Sequence, residues 1–134
     1  MNISEAARRS GLSSKTIRYY EDIKLIAPAI RGGNGYRQYD TQSVSELHFL
    51  ARARDVGFDL EECRQLLTLL RDRGRQSRHA RDLVLEKSEQ LQQRIEQLLT
   101  MQDVLRRMAS RCNGDEGPEC AILDDLAGIE GEGI

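Results

Sequence analysis

Short apolar and polar stretches alternate at the start of the chain and predict two small helices joined by a turn. Ser4 is suited to cap the first helix, and Gly11 suits the left-handed conformation that closes it. Ser13 then caps a second helix that runs to about Asp22. Helix, glycine-containing turn and helix are typical of a helix-turn-helix, whose second helix fits the major groove of DNA.

Two apolar segments after these helices predict a pair of short strands, Ile23–Ile26 and Tyr36–Tyr39. Pro28 and the turn-rich residues 32–35 separate them. Such a hairpin would lie beside the second helix and present basic and tyrosine side chains to phosphate or the minor groove. The pattern therefore predicts a winged helix-turn-helix.

Two further amphipathic stretches predict supporting helices. Asp40 or Thr41 can cap a third helix to about Asp55, and Asp59 with Glu62 forms an acidic capping box that opens a fourth, to about Arg71. We therefore expect residues 1–70 to form a DNA-binding domain.

The polar residues 71–77 predict a hinge, followed by a long helix over 78–110 without proline or glycine. Steps of three and four along it give a coiled-coil seam with two polar interruptions, Ser88 and Gln102. Homodimerisation would bury this seam, whereas folding back on the chain's own head is the less favoured alternative. The dimerisation residues we expect are Val84, Leu91, Ile95, Leu98 and Leu105.

The net charge of −2 hides a segregation along the chain. Residues 1–39 carry seven basic and three acidic side chains, while residues 111–134 carry one basic and seven acidic ones. A basic head and an acidic tail favour nucleic-acid binding by the head. The candidate DNA-binding residues are Lys15, Arg18, Tyr19, Tyr20, Arg31, Tyr36, Arg37 and Arg54, although ion pairs with nearby acids explain Arg54 equally well.

Other function classes are disfavoured by the sequence. It offers no nucleophile–base pair, phosphate loop or paired catalytic carboxylates, so we expect no enzyme. No apolar run is long enough for a bilayer and no signal peptide is recognisable, so we expect a cytoplasmic protein without a membrane partner.

Two of the three cysteines, Cys112 and Cys120, bound a short loop after the long helix. In a reducing compartment this spacing is compatible with soft-metal binding, with a disulfide formed on oxidation, or with two unremarkable thiols. Cys63 lies within the fourth helix, where a buried, non-ligating role is favoured. Residues 121–127 predict a short apolar helix, and the last six residues are expected to be disordered.

Three motifs in the head, Ile17-Arg-Tyr-Tyr-Glu21, Gly35-Tyr-Arg37 and Gly57-Phe-Asp-Leu-Glu-Glu62, resemble the MerR family of transcriptional regulators. The loop between Cys112 and Cys120 looks like that of the family's copper-efflux regulator (CueR) branch. The resemblance covers residues 1 to about 127.

The resemblance implies a mainly α fold: a winged helix-turn-helix head, a long dimerisation helix that pairs as an antiparallel coiled coil, and a C-terminal metal-binding loop within residues 111–134. It implies a homodimeric activator that distorts promoter DNA so that RNA polymerase can engage it, with Cu(I), Ag(I) or Au(I) held by two thiolates. Relatives that sense divalent ions usually carry a third cysteine where Ser77 aligns, so Ser77 favours a monovalent ion. Thiol redox sensing and divalent-metal sensing remain the alternatives.

Overall fold

The computed structural model describes residues 1–33 and 35–128, and most of these residues are helical. The chain divides into two compact units, Met1–Lys87 and Ser88–Ile134. In order, the elements are α1 (Ile3–Ser10), α2 (Ser14–Asp22), β1 (Ile30–Arg31), β2 (Arg37–Gln38), α3 (Thr41–Asp55), α4 (Leu60–Arg71), α5 (Ser77–Arg111) and α6 (Ala121–Leu126).

The first two helices form the predicted helix-turn-helix. The Ser13 hydroxyl accepts a hydrogen bond from the Thr16 N–H at 3.0 Å and caps α2, as predicted. The cap of α1 differs from the prediction: Asn2 accepts from the Glu5 N–H at 2.9 Å, so the helix begins at Ile3 and Ser4 lies in its first turn. Asparagine satisfies an end N–H group as well as serine does, which is why either position was a plausible start.

The wing is smaller than predicted and its first strand lies elsewhere. β1 and β2 form a two-stranded antiparallel sheet in which Ile30 pairs with Gln38. The prediction of a strand at Ile23–Ile26 was wrong, because this segment folds back on the end of α2. The N–H of Leu25 donates to the Tyr20 carbonyl at 2.9 Å, and its side chain is buried.

Arg64 on α4 holds the same segment from the other side, donating to the carbonyls of Lys24 at 3.0 Å and Ile23 at 3.2 Å. These backbone groups are therefore already paired and cannot join a sheet ladder. Asn34, in the predicted turn, lies outside the described residues.

The helices α3 and α4 begin at the predicted caps. Asp40 caps α3, and Asp59 with Glu62 forms a complete capping box at the start of α4. Both helices pack with α1 and α2 around one apolar core in the first unit. Its buried members are Ala6, Ile17, Tyr20, Leu25, Ile26, Tyr39, Val44, Leu47, Leu50, Ala53, Phe58, Cys63 and Leu67.

The first unit extends beyond the head predicted at 1–70 because the first turns of α5 also belong to it. Lys87 forms an ion pair with Glu62 at 2.9 Å, with side chains only 13% and 19% exposed. The same ammonium lies 5.8 Å from the centre of the Phe58 ring. A charge so far removed from water needs such partners, and they join the start of α5 to α4.

The second unit contains the rest of α5, the cysteine loop and α6. α5 is one residue longer at each end than the predicted 78–110. Its apolar side chains are exposed in the single chain, including Leu91, Ile95, Leu98 and Leu105. α6 forms where a short apolar helix was predicted, and the predicted disordered tail lies outside the described residues.

Across residues 1–33 and 35–128, none of the helices combines the length and apolar character that crossing a bilayer requires.

Candidate DNA-facing groove and thiol pair

Four of the candidate DNA-binding residues line one groove of about 620 Å³ in the first unit. α2 contributes Arg18, and the wing contributes Arg31, Tyr36 and Arg37. The other lining residues are Asn2, Ile3, Gly35 and Gln38. Arg31 pairs with Arg37 in the two-stranded sheet, so the two wing arginines are neighbours across the strands. Three guanidinium groups at one concave surface are suited to phosphate oxygens and base edges.

Lys15 and Tyr19 extend the basic surface along α2. Both are exposed, and they share a helix face with Arg18 by the spacing of three and four residues. Tyr20 must be removed from the candidate set, because its side chain is only 4% exposed and packs in the core. The sequence contained this signal: Tyr20 lies three residues from Ile17, which was already assigned to the core face.

Arg54 lies outside the groove, at the end of α3. One of its guanidinium nitrogens donates to the Phe58 carbonyl at 3.0 Å. The alternative predicted for this residue was an ion pair with a nearby acid, but the partner at the α3–α4 corner is a backbone carbonyl.

Glu21 was not among the predicted site residues, but it lies beside two residues of the wing. It is 7% exposed, and its carboxylate accepts a hydrogen bond from the Tyr39 hydroxyl at 2.6 Å. The second carboxylate oxygen lies 3.5 Å from Arg37 Nε. Its spacing of four from Ile17 would have placed it on the core face, but no sequence signal indicates which partners meet it there.

The loop brings Cys112 and Cys120 together. Their sulfurs lie 3.7 Å apart, both residues are partly buried, and neither forms a disulfide. A thiolate–metal bond is about 2.3 Å long for zinc, so two such bonds span up to about 4.6 Å. One ion can therefore bond to both sulfurs with a shift of less than about 1 Å.

The first turn of α6 lowers the pKa of the Cys120 thiol. Its pKa is lowered chiefly by the Leu123 backbone N–H, and further by the Cys112 thiol and the Ile122 N–H, although burial opposes them. No side-chain capping hydrogen bond of normal geometry forms, so these groups act by proximity. Because the thiolate is the form that binds metals, this environment favours a metal ligand at Cys120.

The described residues contain no cluster of three or more His, Cys, Asp and Glu side chains able to hold a metal ion. Ser77 is exposed as the first residue of α5. Cys63 is fully buried in the first unit, and burial raises the pKa of its thiol, as expected of a small hydrophobe. The soft-ligand candidate that the structure brings together is therefore the thiol pair of the loop.

The profile of the "MerR HTH family regulatory protein" family matches residues 1–70, and that of "MerR, DNA binding" matches residues 44–108. The chain belongs to the MerR family. It is 49% identical to the HTH-type transcriptional regulator HmrR of Rhizobium leguminosarum bv. viciae, over 95% of this chain and 98% of the relative. It is 44% identical to the regulator CueR of Salmonella typhi, over 96% of this chain and 93% of that protein.

Among solved structures, the regulator PbrR691 from Ralstonia metallidurans CH34 in complex with lead(II) superposes with a TM-score of 0.83. Its sequence is 27% identical, and the match covers 94% of this chain and 98% of that one.

These findings make the chain a DNA-binding transcriptional regulator of the MerR family, and not an enzyme. MerR regulators bind promoter DNA as dimers. The predicted fold class, mainly α with a winged helix-turn-helix head and a long helix, is confirmed.

Proposed function

We propose that this MerR regulator activates copper, silver or gold efflux or detoxification genes when Cu(I), Ag(I) or Au(I) binds the thiolates of Cys112 and Cys120. The observation that carries the proposal is the pair of free, partly buried thiols 3.7 Å apart in a loop after the long helix. The resemblance of this loop to the copper-efflux regulator branch supports it, as does the similarity to CueR.

Ligand type and ligand number favour a monovalent soft ion. Thiolates select Cu(I) over hard ions, whereas structural zinc usually takes four ligands. Two thiolates and a monovalent cation leave a net charge of −1, which the backbone N–H groups of Ile122 and Leu123 partly offset. Ser77 supplies no third thiolate at the position that divalent-ion sensors use.

Two alternative functions of this chain, both as a MerR regulator, also have support. The similarity to PbrR691, solved with lead(II), favours a divalent-ion sensor. The proximity of the two sulfurs favours a redox sensor in which both thiols are oxidised to a disulfide.

The DNA-facing groove is the part of the head that we assign to promoter binding. Arg18 and Tyr19 would enter the major groove with Lys15, while Arg31, Tyr36 and Arg37 of the wing would contact the adjacent backbone. In a homodimer joined along α5, two such heads would read a two-fold symmetric operator.

Metal binding would affect the DNA-binding heads by ordering the loop and the short helix after it. Ile122, Leu123 and Leu126 lie on α6 directly after Cys120, and Leu123 and Leu126 are 64% and 69% exposed. An ion held at Cys120 would fix where this apolar side rests on the dimer helix or a head. A changed contact of this kind shifts the dimer between two DNA-bound states, so that the promoter is distorted and RNA polymerase engages.

Transcription in vitro from the regulated promoter tests the proposed function. Under anaerobic conditions with pre-reduced protein, and with the reductant removed before peroxide is added, we expect Cu(I) or Ag(I) to activate, and zinc(II), lead(II) and peroxide to leave transcription at its basal rate. Activation by lead(II) alone would establish the divalent-ion sensor instead, and activation by peroxide but not Cu(I) would establish the redox sensor.

Substitution of either loop cysteine tests the ligand assignment. We expect Cys112→Ser and Cys120→Ser each to abolish induction and to change operator affinity by less than about threefold, because the groove lies in the other unit. Cys63→Ala is the matched control, since it removes a buried thiol and should keep induction. Loss of operator binding in either serine variant would mean that the loop is structural.

A further inference from the structure

Glu21 lies in the last turn of α2, and its side chain is buried instead of lining the DNA-facing groove. Its side chain is only 5% exposed, whereas Arg18, one turn earlier, lines the groove. A carboxylate removed from water costs free energy unless it is hydrogen-bonded and paired. Glu21 meets both conditions with residues of one other segment, the second strand of the wing and the residue after it.

The two carboxylate oxygens have different partners. Oε1 accepts from the Tyr39 hydroxyl at 2.6 Å, and Oε2 faces Arg37 Nε at 3.5 Å. Tyr39 is in turn fixed by the backbone, since its N–H donates to the Met1 carbonyl at 2.7 Å. One carboxylate on α2 therefore joins that helix to the two-stranded wing.

The Arg37 side chain therefore faces both the Glu21 carboxylate and the groove. Its Nε edge faces the buried carboxylate, and its side chain, 31% exposed, also lines the groove beside Arg18 and Arg31. Arginine has five N–H donors in a planar fork, so it can keep one carboxylate partner and still donate to a phosphate. A long side chain held in this way loses less conformational entropy when it binds DNA.

From this geometry we infer that Glu21 is a positioning residue for DNA recognition: it fixes Arg37 of the wing at a set distance and angle from Arg18 of the recognition helix. Both arginines then fit a single duplex in one register. The carboxylate does not contact DNA, and its negative charge lowers attraction to phosphate in general. Glu21 therefore contributes to selectivity for the operator and not to overall affinity.

This inference rests on the proposed DNA-facing groove and is tested by comparing two DNA probes. One is an operator duplex selected by the wild-type dimer from a random pool, and the other is a duplex of unselected sequence. Dissociation constants for both are measured at several salt concentrations with full-length protein. The ratio of the two constants reports selectivity, and the salt slope reports the number of phosphate contacts.

Glu21→Gln keeps an acceptor for Tyr39 and removes the charge that holds Arg37. We expect its operator affinity to fall about tenfold while affinity for unselected DNA stays the same or rises. A displaced Arg37 changes the register of the head on the phosphate backbone and moves Arg18 away from its base contact, which unselected DNA does not offer. A purely structural role would lower both affinities together. Glu46→Gln is the matched control, because Glu46 is a mostly buried glutamate paired with Arg71 outside this groove.

Arg37→Lys is a second test variant, used if the Glu21→Gln protein does not fold. Lysine retains the charge for phosphate but lacks the fork that serves two partners, so the same loss of selectivity with unchanged affinity for unselected DNA is expected. An unchanged selectivity ratio in both variants, with Arg37→Ala weakening DNA binding, would overturn the inference and leave the groove intact. If Arg18→Ala and Arg37→Ala bind both duplexes like wild type, the groove and the inference fall together.

Discussion

At the scale of single residues, burial beside Glu21 decides how the Tyr39 hydroxyl titrates. Its pKa is raised well above the ordinary range, first by burial and then by the hydrogen bond that it donates to the Glu21 carboxylate, while Arg37 and Arg18 oppose the shift. The unfolded chain releases this proton near pH ~10, earlier than the folded protein does. The associated stability is therefore complete below about pH 10 and is lost as the pH rises further.

Tyr39→Phe tests this linkage. At neutral pH we expect a loss of about 1–2 kcal/mol in the free energy of unfolding, because the buried carboxylate loses a hydrogen bond. Above about pH 10 the difference between variant and wild type should shrink, since only the wild type then loses the tyrosine contribution. Thermal unfolding from pH 7 to 11 measures it, with Tyr36→Phe as the exposed control. A difference that stays constant or grows with pH would contradict the account.

At the scale of elements, local signals predicted the helices well and the wing poorly. The starts of α2, α3 and α4 were predictable from Ser13, Asp40 and the Asp59–Glu62 capping box. Each start depends on a hydrogen bond between a capping side chain and a backbone N–H within three residues of it, so the signal is local. Ile23–Ile26 has the composition of a strand, but Arg64, about forty residues later, donates hydrogen bonds to two of its carbonyls. A contact so distant in sequence leaves no local pattern.

In the thiol pair and the DNA-facing groove, too, local patterns were predictable and contacts between distant residues were not. The spacing of two cysteines in a glycine-rich loop, read with the family motifs, was enough to identify the thiol pair. Periodicity alone would have placed Tyr20 and Glu21 on the core side of α2, since both are spaced from Ile17 by one helical turn. The partners of Glu21, however, come from the wing, and only the folded chain brings Tyr39 to it.

α6 follows the thiol pair directly and carries the apolar side that we assign to signalling. Leu123→Ser with Leu126→Ser removes this side but keeps the backbone N–H groups that favour the Cys120 thiolate, which a truncation after Cys120 would remove. We expect metal affinity within about threefold of wild type and an induction ratio reduced at least about tenfold, since only the differential contact is lost. Asp125→Ser, an exposed change on the same helix, should induce normally. Full induction in the double variant would exclude α6 as the signalling element.

At the scale of the whole molecule, the second unit leaves a row of apolar side chains in contact with solvent. Ile95 and Leu98 are 50% and 56% exposed in the single chain, and Leu91 and Leu105 continue the row. Exposed apolar surface on this scale is typical of an interface, and the heptad spacing is that of a coiled coil. This agrees with the dimeric state of MerR regulators, and we expect operator affinity to depend on assembly.

Ile95→Asp with Leu98→Asp is expected to dissociate the dimer, because two charges would lie in the apolar seam of each helix. Sedimentation should then give the mass of a single chain, 15.2 kDa. Operator affinity should fall by at least about a hundredfold, since each head would bind its half-site alone. Gln93→Asp, off the seam on the same helix, is the control. A variant that stays dimeric would show that the interface lies elsewhere.

X-ray absorption at the copper edge of the anaerobic, Cu(I)-loaded dimer tests most directly whether the two thiolates of the loop bind one monovalent ion. We predict two sulfur ligands per copper, with no nitrogen or oxygen ligand, and loss of the bound copper in Cys112→Ser. A spectrum that requires three or four ligands, or an unchanged spectrum in Cys112→Ser, would contradict it.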